Sequence, residues 1–264
     1  YGLYERVQSF WGNSELEAKG APSEGERAVL QPLVDQGLLS ADILTDEAVM
    51  APVSGARQLD RKNLRRASQL MDEAGWRVNS DGMREKDGQV FTLEVLDSSP
   101  AFDRITNPMI ENMKALGIDA RLNRVDTAQE SERTRAYDFD VTTHSMRMSF
   151  EPSSGLEQYF GTKAMDQSSR NLMGLSDPAV DALIEKTVRA QSKAELNTNI
   201  RALDRVLRAK RFWIPQWFKA VHTVAYYDQY GHPDPLPPFA RGELDFWWFD
   251  ADKAAKLKAA GVLN

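Results

Sequence analysis

The segment 91–145 limits the possible folds of this chain more than any other feature. Residues 91–96 and 118–125 are predicted strands, because apolar and β-branched residues recur there in short runs. A third strand is predicted at 139–145, after a polar helix near 127–135. Between the first two strands, an apolar helical stripe is formed by Phe102, Ile105, Met109, Met113 and Leu116. This alternation predicts an α/β fold with a mostly parallel sheet covered by helices.

Further helix signals lie on both sides of this segment. The amphipathic stretch 60–74 is a predicted helix, and Asp177 with Pro178 has the pattern of another helix start. Ser192 and Glu195 have the spacing of a capping box, in which each side chain bonds the backbone amide of the other residue. These signals predict two long helices after the sheet.

The ends of this helical region carry two less regular predictions. Residues 1–12 are interpreted as the end of a helix that is already under way, and residues 212–218 as a strand. Trp213 and Trp217 flank Pro215 in that strand. Alternation places both rings on one face, so they either pack into the core or stack on a ligand.

Composition limits the classes of function. Hydrophobic residues make up 42% and charged residues 27% of the chain, as in folded globular proteins. No apolar run approaches the roughly 20 residues that span a bilayer, and a net charge of −6 does not favour a nucleic-acid surface. The absence of cysteine excludes disulfides and thiolate metal sites. The motifs HExxH, GxSxG and GxGxxG are also absent, so no catalytic residue, metal or cofactor is expected.

Four stretches, in the same order, resemble one protein family. They are SFWGNSELEAKG at 9–20, DRKNLRRASQLMDEAGW at 60–76, the block 91–218 with its motif SRNLMG, and the tail with DQYGHP and DFWWFD. Together they resemble the family 5 extracellular solute-binding proteins of bacteria, the dipeptide, oligopeptide and nickel receptors. Within that family the chain is most similar to the branch linked to microcin C and oligopeptide uptake.

The resemblance implies a periplasmic-binding-protein-like domain, the C-terminal lobe of a two-lobe receptor. Residues 1–221 would form the substrate-binding lobe, and residues 222–264 a returning segment that docks on an N-terminal lobe. That first lobe and a signal peptide are expected upstream of Tyr1. The receptor is expected to be a monomer in the periplasm of a Gram-negative type of cell.

The resemblance also implies a function without catalysis. Such receptors capture peptides or peptide-like compounds and deliver them to the permease subunits of an ABC importer. No enzyme activity, cofactor or nucleic-acid partner is expected. Two alternatives stay open, a receptor for an opine, glycoside or metal chelate, and a hydrolase that uses acidic residues such as Asp140 and Glu151.

The ligand site is expected after the third strand, because ligands bind beyond the carboxyl ends of parallel strands. The loop that follows it and the SRNLMG motif supply the candidates Ser145, Met146, Arg147, Met148, Ser149, Glu151 and Asn171. We expect these side chains to lie along one concave edge that is open to solvent.

Each candidate has an alternative role. Many relatives hold the α-amine of a peptide with an aspartate, and alignment on Glu151-Pro152 places Met148 at that position. Either Glu151 substitutes from nearby, or the ligand presents no free amine there. Arg147 either binds a ligand carboxylate or phosphate or forms a surface salt bridge. Asn171 either contacts ligand backbone or holds its own loop.

Overall fold

The computed structural model describes residues 4–55, 58–166, 170–221, 223–237 and 243–263. The chain divides into two compact units, which we call the large unit (Arg6–Trp217) and the small unit (Tyr1–Glu5 with Phe218–Asn264). The predicted returning segment, residues 222–264, falls within the small unit. Its docking on a further lobe stays a prediction.

The helices and strands of the described residues have the following bounds. The helices are α1 Glu24–Asp35, α2 Arg61–Glu73, α3 Asp103–Lys114, α4 Thr127–Arg135, α5 Leu156–Phe160, α6 Pro178–Val188, α7 Lys193–Ala209, α8 Glu243–Phe246 and α9 Ala251–Ala259. The strands are β1 Tyr4–Arg6, β2 Arg77–Val78, β3 Arg84–Lys86, β4 Gln89–Val90, β5 Thr92–Asp97, β6 Asp119–Arg124, β7 Val141–Thr142, β8 Trp217–Lys219, β9 Tyr230–Gly231 and β10 Trp248–Phe249.

The central sheet has the strand order β6-β5-β7, and both pairings are parallel. Thr92 lies opposite Asp119 and Val95 opposite Val141. The predicted parallel sheet with crossover helices is therefore confirmed. Strand β7 is shorter than the predicted 139–145, because it pairs with a strand on one side only in the described residues and leaves the ladder after Thr142.

Two apolar cores hold the large unit. The first lies between the sheet and α3, where Val95, Ile110 and Ala120 are buried. The second is larger and lies among α1, α5, α6 and α7. Its buried members include Phe160 and Leu203, both with no exposed surface. Amphipathic helices thus stabilise both cores by removing their apolar stripes from water.

Helix α7 also carries buried charges on the side that faces the N-terminal loops. Arg205 Nη2 lies 3.1 Å from Glu26 Oε1, and both side chains are at least nine-tenths buried. Arg208 donates to the carbonyl oxygens of Ala18 and Val49 and pairs with Asp204. These contacts fix the loops before α1 and after Ala48 to the helix.

Several local predictions were wrong or incomplete. Residues 4–12 do not end a helix but contain β1 and a series of turns, while residues 1–3 lie outside the described residues. The strand predicted at 212–218 begins only at Trp217, since Pro215 cannot donate a ladder hydrogen bond. Ser192 caps α7, but the Glu195 carboxylate accepts from Gln191 instead of completing the capping box.

The small unit contains a two-stranded antiparallel sheet of β9 and β10. Next to it, the ring of Trp247 packs against Tyr226, Tyr230 and His232. Asp250 caps α9 through the amide of Lys253. This unit therefore has its own aromatic cluster.

Candidate functional site

A cavity of about 460 Å³ lies at the open edge of β7, entirely within the large unit. We call it the aromatic groove, because aromatic and apolar side chains form most of its wall. It is lined by Phe102, Ile105, Thr106, Met109, Tyr137, Phe139, Asp140, Val141, Thr142, Thr143, His144, Met146, Leu172, Met173, Phe212, Trp213, Ile214, Gln216 and Trp217. Its size and lining are typical of a small-molecule site.

Parallel-sheet topology explains why these residues meet. Helix α3 leaves the carboxyl end of β5 and crosses one face of the sheet, so its first two turns form one wall. Strand β7 and the chain that follows it supply the floor and a second wall. Segment 212–217, which follows α7, supplies five further lining residues. The groove thus lies at the kind of position where open α/β sheets bind ligands.

Tyr137 has an unusual backbone that aims its ring into the groove. It directly follows the last turn of α4 with φ of 55°, at a position that usually belongs to glycine. Its phenol hydroxyl donates to the carbonyl oxygen of Asn171 at 3.0 Å. A non-glycine residue in the left-handed region costs about 1 kcal/mol or more. The ring's packing and hydrogen bond offset that cost.

Two tryptophan rings are held by aromatic neighbours. Trp213 stacks on Phe10 with ring centroids 4.0 Å apart, and Trp217 packs at 6.2 Å against Phe102. Both indoles are half-buried and line the groove as well. The two predicted alternatives for these rings, internal packing and a ligand-facing surface, are therefore compatible.

The groove has little charge. Asp140 is the single carboxylate among the described lining residues, and its Oδ2 accepts the Glu94 amide at 2.8 Å. Partial burial lowers the pKa of the His144 imidazole below its usual 6.5, so the ring is neutral at pH 7. Burial and the nearby Asp166 raise the pKa of the Tyr137 phenol. No arginine or lysine lines the groove in the part of the chain that the structure describes.

The carboxyl ends of β5 and β6 are occupied by their own polar groups. Arg124 Nη1 lies 3.1 Å from Asp97 Oδ1, and its other terminal nitrogen pairs with Asp103. Ser98 donates to Glu130 at 2.5 Å. Because these ion pairs and this hydrogen bond fill the ends of β5 and β6, we place the accessible part of this sheet edge beside β7.

The structure separates the predicted site residues. Met146 lines the aromatic groove, while Met148 packs against the larger core. Ser145, Arg147 and Ser149 are exposed, as is Glu151. Apart from Met146, none of the seven candidates is a lining residue of the groove.

For Asn171, the expectation of solvent exposure is wrong. Its side chain has no exposed surface and donates to the carbonyl oxygens of Gly161 and Leu175, at 3.2 and 2.9 Å. Its Oδ1 accepts the amide of Leu175. The motif SRNLMG did not indicate that Asn171 is buried, because an asparagine side chain forms hydrogen bonds with backbone groups equally well in exposed and in buried loops. Asn171 holds the loop that carries the lining residues Leu172 and Met173.

Sequence reasoning missed most of the groove. Phe102 was assigned to a helical stripe and Phe139 to a strand, and nothing in the sequence predicted a role for Tyr137. The tryptophans at 213 and 217 were the clearest available signal, since two large rings beside a proline are costly to expose.

The described residues contain neither a membrane-spanning helix nor a metal-binding cluster. No helix there has both the length and the apolar character needed to cross a membrane. No group of three or more His, Asp or Glu side chains there is arranged to hold a metal ion.

Comparison with known proteins places the chain in a family. A family model described as "Bacterial extracellular solute-binding proteins, family 5 Middle" matches residues 23–167. The uncharacterized protein y4wM of Sinorhizobium fredii is 38% identical over 99% of this chain and 39% of its own length. The probable peptide-binding protein YejA of Agrobacterium fabrum is 38% identical over 94% of this chain and 40% of its own length.

The chain therefore spans about two fifths of the length of these relatives. The structure of the oligopeptide-binding protein AppA from Bacillus subtilis, in complex with a nonapeptide, matches with a TM-score of 0.55 and 15% identity. The match covers 94% of this chain and 53% of that protein, and it shows a shared fold. The predicted α/β fold is confirmed, and this chain belongs to the bacterial extracellular solute-binding proteins of family 5.

Proposed function

We propose that this chain is the C-terminal lobe of a periplasmic receptor that captures peptides or peptide-like compounds. The receptor would deliver them to the membrane permease subunits of an ABC importer. The observation that carries the proposal is the aromatic groove at the open edge of β7, in a chain of this family. The relative described as a probable peptide-binding protein supports the same class of ligand.

The backbone after β7 supports binding of an extended ligand. In the described part of the chain, residues 144–148 form none of the backbone hydrogen bonds found between loops. With respect to backbone partners in the described residues, their amides and carbonyls are open to a peptide backbone, which would account for tolerance of ligand sequence. Ser145, Arg147 and Ser149 flank this stretch with exposed side chains. We propose that this stretch holds the main chain of the ligand while the groove holds a side chain.

The position of Glu151 bears on recognition of a ligand amine. Glu151 is exposed and lies close enough to Lys193 to raise the pKa of that ammonium, after the larger effect of Glu15. Met148 is apolar and Glu151 is not a lining residue, so neither residue places a carboxylate in the groove. This arrangement favours a ligand without a free α-amine at this point.

The hydrolase alternative would require Asp140 and Glu151 to face one substrate. Asp140 lines the groove, whereas Glu151 is not a lining residue. Their positions do not favour a pair of cooperating carboxylates.

The test uses the complete receptor, of which this chain would be one lobe, together with a mixture of defined tripeptides to pentapeptides. Calorimetry should detect binding, with a dissociation constant near micromolar or lower, and mass spectrometry should recover every peptide intact. Cleaved peptides would favour the hydrolase. Binding of an opine, a glycoside or a metal chelate, without binding of any peptide, would favour the other receptor class.

A further inference from the structure

The aromatic groove can accept only some kinds of chemical group. Its volume of about 460 Å³ lies within the usual range of roughly 300–1,000 Å³ for ligand pockets. This space is large enough for one bulky side chain.

An anionic group would be unfavourable in the groove. A buried carboxylate or phosphate needs a cation or several donors to replace its hydration. In the described residues, the lining includes no lysine or arginine and has a neutral His144. Asp140, the one carboxylate among the described lining residues, adds no favourable contact for an anion.

A cationic group would also find little compensation. Asp140, which directly precedes β7, is exposed to solvent, so water screens its attraction for a cation, and its Oδ2 also accepts the Glu94 amide. A lysine or arginine would therefore lose water among aromatic rings without a buried counter-ion. Cation–π attraction gives only about 0.5–2 kcal/mol, which is less than the cost of desolvating an ammonium group.

The walls are positioned before any ligand arrives. Tyr137 is fixed by its hydrogen bond to Asn171, and Trp213 by its stack on Phe10. Preorganised rings lose little conformational freedom on binding, so an apolar group gains most of the free energy of its burial.

From these observations we infer that the aromatic groove is a subsite for an uncharged, apolar or aromatic side chain of the ligand. The inference rests on the proposed function, because it names the class of side chain that the proposed receptor selects. It predicts that the aromatic groove of this lobe selects the side chain at one position of the ligand.

The test compares tripeptides in which one alanine of Ala-Ala-Ala, at each position in turn, is replaced by Phe, Leu, Glu or Lys. Calorimetry with the complete receptor should show that, at one position, the Phe and Leu peptides bind at least tenfold more tightly than the Glu and Lys peptides. Ile214→Glu adds a carboxylate to the groove at a residue that is 57% exposed, so the fold tolerates it. It should reduce the preference at least fivefold. The matched control Val53→Glu, at an 80% exposed loop residue outside the groove, should leave the preference unchanged.

Three results would overturn the inference while the peptide receptor stands. They are equal binding of all four side chains, tightest binding of the Lys or Glu peptide, and an unchanged preference in Ile214→Glu. A separate probe, N-acetyl-phenylalaninamide, distinguishes the two proposals when no peptide binds. Shifts of the Trp213 and Trp217 indole N–H resonances with this probe would keep the subsite and reject the peptide receptor. No shifts and no peptide binding would reject both.

Discussion

Removing Arg205 should destabilise the large unit far more than removing an exposed arginine. Its side chain is 1% exposed, pairs with Glu26, and donates to the carbonyl oxygens of Gly20 and Asp46 at 2.9 and 3.2 Å. Arg205→Met leaves one buried carboxylate and two carbonyls without this partner. Loss of one member of a buried ion pair costs about 3–5 kcal/mol. For a domain of this size, the melting temperature should fall by roughly 6–20 °C.

Two further variants isolate the cause. Arg189→Met makes the same substitution in a surface pair, in which Arg189 is 76% and Glu185 61% exposed, and should cost less than about 1 kcal/mol. The double variant Glu26→Gln, Arg205→Met removes the unpaired charge and should be more stable than Arg205→Met alone. Thermal and urea unfolding, followed by circular dichroism, measure all four proteins.

The pH dependence gives an independent measurement. Burial alone would raise the pKa of Glu26, but hydrogen bonds from Ser23 and the Arg205 guanidinium hold it below the usual 4.5. The stabilisation from Glu26 is therefore present above pH 4.5 and is lost as the pH falls through the lower folded-state value. The difference between wild type and Arg205→Met should shrink over that range. A pH-independent difference, or one no larger than that of Arg189→Met, would refute this explanation.

Four other outcomes follow from single contacts. Asn171→Leu leaves the Leu175 amide and carbonyl without their Asn171 partner and removes one hydrogen bond from Gly161 O, which still accepts the Ala164 amide. It should cost about 3 kcal/mol in urea unfolding, and wild-type stability would contradict its structural role. Gly117→Ala should cost about 2 kcal/mol, because φ is +84° and a Cβ would lie 2.7 Å from Gly82 O. Because partial burial lowers the folded-state pKa of His144, its contribution to stability should fall as the pH drops below 6.5, and His144→Gln should remove that part of the pH dependence. Arg147→Ala should weaken ligand binding without changing the melting temperature; the opposite pattern would indicate a salt bridge.

The sheet was predictable because its signals are local. Strands β5 and β6 are short segments with recurring apolar residues, the helix between them packs on the sheet, and the right-handed βαβ connection leaves few arrangements. Helices α2, α6 and α7 were equally clear, since Asp60, Asp177 and Ser192 each cap the helix that follows. These features depend on residues close together in sequence.

The groove was not predictable because its walls are distant in sequence. Phe102, Tyr137, Met173 and Trp213 meet only after α3, α4 and α7 have packed. Each has an ordinary explanation as a core residue when it is considered alone. The left-handed backbone at Tyr137 could not be predicted from the sequence either, because glycine is the residue that normally indicates this conformation after a helix.

The early end of β7 connects the fold to the proposed function. If the strand had continued through residue 145 as predicted, a neighbouring strand could have occupied its backbone groups, and its side chains would have alternated on a regular sheet. Instead the chain leaves the ladder after Thr142, with His144 and Met146 at the groove and Ser145 and Arg147 exposed. This one short segment therefore offers polar groups to the main chain of the proposed ligand and apolar groups to one of its side chains. The neighbouring strand ends cannot supply them, because Arg124 already neutralises their carboxylates.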